Sequence, residues 1–154
     1  MEKTFKDGYE ELAKKHKLPK LEELDAEFHV SCIEAKHFLL SEVRHHMMDK
    51  ASVYADVLAE LLQPDTNLVN LYESRVLNDA EKKDAFEVFR ILMKWKRHSL
   101  EIGMNNDEKA NAAFIAGFLA EWKAGKDKLS SILNKVKTSW ELDSDETEKL
   151  GYFG

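Results

Sequence analysis

The sequence predicts an all-α protein, an antiparallel bundle of three long helices with two or three short helices between them. Three observations predict it. Apolar residues recur at three- and four-residue spacing through long stretches, the signature of amphipathic helices. No segment shows the strict alternation of a half-buried strand. Only two prolines and six glycines punctuate the 154 residues, too few for a fold of many short strands and turns.

Taken in order, Thr4 followed by Asp7 reads as the N-cap of a first helix carrying Phe5, Tyr9, Leu12 and Ala13 along one face, and Pro19 stops it. Leu18 to Phe28 reads as a short second helix on Leu21, Leu24 and Phe28. Ser31 with Glu34 matches the Ser-x-x-Glu capping box. It predicts a long helix from Cys32 to Leu62, about 45 Å at 1.5 Å per residue, ending before Pro64. Asp65 or Thr66 then caps a short helix on Leu68, Leu71 and Tyr72. Asn78 or Asp79 caps the next, which runs to Gly103 as its C′ residue. Asn105, Asn106 and Asp107 form a turn. The last helix runs to about Leu142, because its stripe of Phe114, Phe118, Trp122, Leu129, Ile132, Val136 and Trp140 keeps phase through Gly125. Residues 1–142 are expected to form one domain, and 143–154 an acidic, disordered tail.

Composition bounds the function. Hydrophobic residues make up 44% and charged residues 34%, a globular balance. No apolar run reaches the roughly 18 residues of a membrane span. Met1 to Asp7 lacks the apolar stretch of a secretory signal. Cys32 is the single cysteine, which excludes an intrachain disulfide and suits a reducing cytoplasm. The net charge of −6 is concentrated in the last fifteen residues, where five acids meet one lysine. Such a balance does not suit a phosphate backbone as the main partner. The basic groups at Lys14, Lys15, Lys17 and Lys20 and at Arg90, Lys94, Lys96 and Arg97 would have to meet in space for an RNA-binding reading.

Two helices carry more apolar face than one core stripe requires. On the Cys32–Leu62 helix, Ile33, Leu40, Val43, Met47, Ala51, Tyr54, Leu58 and Leu61 line one side, while Phe38 lies nearly opposite. The first two helices folded back across it would cover the second face; a second copy of the chain is the other covering. On the last helix, Ala112, Ala116, Ala120 and Ala124 form a ladder opposite the aromatic stripe, with Ala113 and Gly117 beside it. Small residues four apart let two helix axes approach closely, either inside the bundle or across a homodimer seam.

Candidate chemistry is sparse. The steps Glu34–His37 and Glu42–His45 have the Glu-x-x-His spacing of ferritin-like metal bundles. On the wheel, however, Glu34, Glu42 and His45 fall away from the apolar stripe, and His37 sits at its border. His37 with Glu34 is the metal alternative, and no cofactor is expected. Cys32 sits three residues after His29, so a Cys–His pair is conceivable beside the plainer reading of a small buried residue. Neither a Gly-rich phosphate loop nor a nucleophile elbow occurs. The sequence therefore predicts a non-catalytic protein acting through protein–protein contacts or self-association, with Phe38 and the ladder as contact residues.

The stretches Leu18-Pro-Lys-Leu-Glu-Glu-Leu-Asp-Ala-Glu-Phe28 and Gln63-Pro-Asp-Thr-Asn-Leu-Val-Asn-Leu-Tyr72 resemble segments of small helical proteins from archaea. The resemblance implies a cytoplasmic protein and no activity.

Overall fold

The computed structural model describes residues 3–34 and 37–141. They form six α-helices and one 3-10 turn, with no strand among the described residues. Helix α1 spans Phe5–His16, α2 Leu21–Phe28, α3 Leu39–Leu62, α4 Leu68–Ser74, α5 Asp79–Asn105 and α6 Glu108–Ser139. The expected tail lies outside the described residues.

Local chemistry sets most boundaries. Thr4 and Asp7 form a reciprocal capping box: the Thr4 hydroxyl accepts from the Asp7 N–H at 3.2 Å, and the Asp7 carboxylate accepts from the Thr4 N–H at 3.4 Å. Lys17 ends α1 in the left-handed region, φ 56°. Helix α2 starts at Leu21 and not at Leu18, since the residue before a proline is pushed out of the helical region. Asn78 and Glu81 form a second capping box ahead of α5, with both bonds at 2.9 Å. Asn67, not Asp65 or Thr66, caps α4 by accepting from the Asn70 N–H at 2.8 Å.

Two further boundaries differ from expectation. The long helix begins at Leu39, not Cys32. The Ser31 backbone N–H is taken by the Asp25 carboxylate at 2.8 Å, and Val30–Cys32 closes into a 3-10 turn. Phe38 then enters the left-handed region, φ 54°, immediately before the first helical residue. Phe38 is therefore not on α3 at all, and it does not give that helix a second apolar face. The second correction concerns Gly103, which lies inside α5; the left-handed position past its end is Asn106, φ 49°, whose N–H reaches the Ile102 carbonyl at 2.8 Å. Asparagine tolerates this conformation almost as glycine does.

The chain packs as two compact units, each fed by segments of α3, α5 and α6. Unit 1 comprises Met1–Ser52 and Lys94–Trp122. Its core is an aromatic run: Trp95 meets Phe114 edge-on at 5.2 Å, Phe114 stacks on Phe118 at 5.9 Å, and Phe28 lies 5.6 Å from Phe118 and 5.4 Å from Trp122. The polar ends of the indoles are satisfied: Trp95 Nε1 donates to Glu121 and Trp122 Nε1 to Glu27, both at 2.9 Å. Side chains of α3 reach both of the first two helices. Gly8 faces Leu39, and Lys50 Nζ donates to the Glu27 carbonyl near the end of α2 while lying over the Phe28 and Trp122 rings.

Gly117 is the close approach in this unit. A Cβ there would stand 2.7 Å from Trp95 Cη2, and the indole is held by its bond to Glu121 and by both phenylalanines. Gly117→Ala should therefore lose about 1–2 kcal/mol, the overpacking cost exceeding alanine's helical advantage. Gly125→Ala, with nothing within 4 Å of the new methyl, should gain about 0.5–1 kcal/mol. Urea unfolding of the two variants checks the pair, and equal shifts would refute the contact with Trp95.

Unit 2 comprises Val53–Met93 and Lys123–Gly154. Leu58, Leu61, Leu77, Val88, Leu92, Leu129, Ile132 and Val136 are buried in it. Lys128 pairs with Glu87 at 2.9 Å, and Lys135 with Glu81. The end of α6 is held by Tyr72, whose hydroxyl donates to the Ser139 carbonyl and whose ring lies 4.2 Å from that of Trp140. Trp140 Nε1 donates to Glu73 at 2.9 Å.

Candidate functional site

Unit 1 holds a cavity of about 490 Å³. Its wall comes from α1 (Gly8, Glu11, Leu12), the segment entering α3 (His37, Phe38), the first turn of α3 (Leu39, Leu40, Ser41) and the turn into α6 (Asn106, Glu108, Asn111), with Lys3 at the edge. The capped start of α1 and the left-handed residues Phe38 and Asn106 bring these short segments together.

Directly behind two of these residues is Arg44, buried at 2% exposure. Its Nε donates to Asn111 Oδ1 at 2.7 Å, and Nη1 donates to the Ser99 carbonyl at 2.7 Å and to the Ser99 hydroxyl. Nη2 reaches Ser41 Oγ at 3.5 Å and His45 Nε2 at 3.4 Å. Every acceptor is neutral: among the described residues no carboxylate lies within ion-pair distance of Arg44. Burial pushes the guanidinium's pKa down, yet arginine stays charged in proteins. The site thus carries a cation compensated by dipoles alone.

The carboxylates of the wall are engaged elsewhere. Glu108 accepts from Lys15 Nζ at 2.9 Å, and its carboxylate oxygen lies 2.9 Å from His16 Nε2. Hydrogen bonds from Lys15 and then from His16 hold the Glu108 carboxyl below the usual range. Glu11 is held low in the same way by Lys3, which donates to it at 2.6 Å.

The residues singled out from the sequence are scattered. His37 does reach the cavity wall, on an irregular bend. Glu34 is exposed and is not part of the wall, so the pair does not share a helical face. Glu42 and His45 lie on α3 and are exposed. Among the described residues no group of three histidine, cysteine or acidic side chains could hold a metal ion. Cys32 is exposed in the 3-10 turn, its thiol donating to the His29 carbonyl at 3.0 Å, so neither a helix N-terminus nor burial describes it. The alanine ladder divides: Ala112 is buried, Ala116 half-buried, and Ala120 and Ala124 exposed. Phe38 is 74% exposed. No described helix is long and apolar enough to cross a membrane. Of the basic groups, Lys15 and Lys94 are paired with Glu108 and Glu121.

Sequence reasoning missed Arg44. The available signal was a charged residue on the flank of the Leu40–Val43–Met47 stripe, four residues after one member and three before another. It also missed Leu100 and Met104, one turn apart on α5 and exposed at 65% and 83%.

No protein-family model, curated protein or solved structure matches this chain.

Proposed function

We propose that this chain is a non-catalytic helical protein of the cytoplasm, an antiparallel bundle folded as one domain over residues 1–142. It works through contacts with another protein chain or with a second copy of itself. The reading rests on one observation: unit 1 leaves Phe38, Leu100 and Met104 in solvent, although its aromatic core is closely packed. Single exposed apolar residues are ordinary, but two long side chains one turn apart on a helix form a ridge of the kind helical partners cover. The short connection between α5 and α6, and pairs such as Glu87–Lys128 and Glu81–Lys135, support the antiparallel arrangement.

Native mass spectrometry together with photo-crosslinking from position 104 tests the proposal. A dimer that loses at least about tenfold in affinity on Met104→Glu is expected, since a charge would be buried against an apolar face. A monomer that also forms no specific adduct from position 104 in cells would overturn the reading.

A further inference from the structure

We propose that the cavity of unit 1 binds a small organic carboxylate: an acid group with an apolar body. This goes beyond the contact function above and does not depend on it. Arg44 is buried among neutral acceptors, and a buried cation without a counter-ion is costly unless some anion completes it. The two carboxylates of the cavity wall do not serve, because Glu11 is held by Lys3 and Glu108 by Lys15 and His16. Counting Lys3, Glu11, Lys15 and Glu108 with Arg44 leaves one positive charge in excess, on the guanidinium.

Geometry then locates the acid group. Ser41 and Asn111 both line the cavity and both contact Arg44 on its inner side. Ser41 Oγ accepts from Arg44 Nη2 at 3.5 Å, and its own O–H remains able to donate to a ligand. A carboxylate beside Ser41 would receive that hydrogen bond and feel the guanidinium through a single layer of side chain, where low dielectric strengthens the attraction. The wall also carries an apolar set, Leu12, Phe38, Leu39 and Leu40. The volume matches the range that small-molecule sites occupy. A bare inorganic anion would leave that apolar wall unused, so the chemistry favours an organic acid.

Titration of the full chain with octanoate, followed by calorimetry and by the Ser41 and Asn111 amide resonances, tests the inference, with octanol and inorganic phosphate as controls. Saturable one-to-one octanoate binding is expected, with octanol and phosphate each at least about tenfold weaker. Ser41→Ala, with its fold checked by the remaining amide resonances, should weaken octanoate roughly tenfold, the worth of a hydrogen bond to a charged group. Leu12→Glu should weaken it by a similar factor through repulsion. Absence of saturation at millimolar octanoate, equal affinity for octanol, tighter binding of phosphate, or no change in Ser41→Ala would each overturn the proposal.

Discussion

Phe118→Ala is expected to remove about 3–5 kcal/mol of stability, the largest single effect in this chain. Phe118 is fully buried, and its ring touches four others: Phe28 at 5.6 Å, Trp95 at 5.8 Å, Phe114 at 5.9 Å and Trp122 at 6.3 Å. Truncation forfeits the transfer energy of the ring and leaves a void whose walls are other rings, which collapse poorly. Against a typical total of about 5–15 kcal/mol, such a loss brings the protein close to unfolding at ordinary temperature. The control is Phe86→Ala, at a site on α5 that is 54% exposed, where under about 1 kcal/mol should be lost. Urea midpoints at unchanged slope measure both. Similar losses at the two positions would contradict the burial that separates them.

Arg44→Met should cost about 1–3 kcal/mol, and here two effects oppose each other. Removing the guanidinium relieves the desolvation of an ion with no carboxylate beside it, which favours the variant. It also strips donors from Asn111 Oδ1 and the Ser99 hydroxyl, both of them on buried residues, and each orphaned buried acceptor costs about 1–3 kcal/mol. The acceptors outnumber what methionine's packing can return, so the variant should be the less stable. Arg44→Lys should lose a comparable amount, since a lysine ammonium cannot present the planar fork that spans Ser99 and Asn111. Chemical denaturation of the three proteins at one pH decides the matter. If Arg44→Met were as stable as the parent, the guanidinium would be a net burden on folding, kept for some use other than stability.

Much of the fold was legible because it is written in short-range chemistry. The all-α class follows from helical spacing of apolar residues, and the stripe from Leu40 to Leu61 is buried with only Tyr54 half-exposed. The capping pairs Thr4–Asp7 and Asn78–Glu81 lie three residues apart and close on themselves. Helix α6 runs unbroken through Gly125, because one glycine costs only about 1 kcal/mol against thirty-two residues of helix.

What only the folded structure decided lies wherever a group outside a local motif outcompeted one within it. Ser31 and Glu34 spell a capping box, but the Asp25 carboxylate takes the Ser31 N–H first, and the helix begins seven residues later at Leu39. That shift carries Phe38 off the helix and into the cavity wall. The small residues of α6 looked alike in sequence, yet Gly117 receives the Trp95 ring while Ala120 and Ala124 face solvent. Arg44 is set apart from the other arginines by what surrounds it: Ser99 and Asn111, 55 and 67 residues away. Periodicity records which side of a helix is apolar and caps record where a helix can start. The partner that fills a gap or satisfies a charge arrives from elsewhere in the chain, so the cavity and its buried cation exist only once the helices have met.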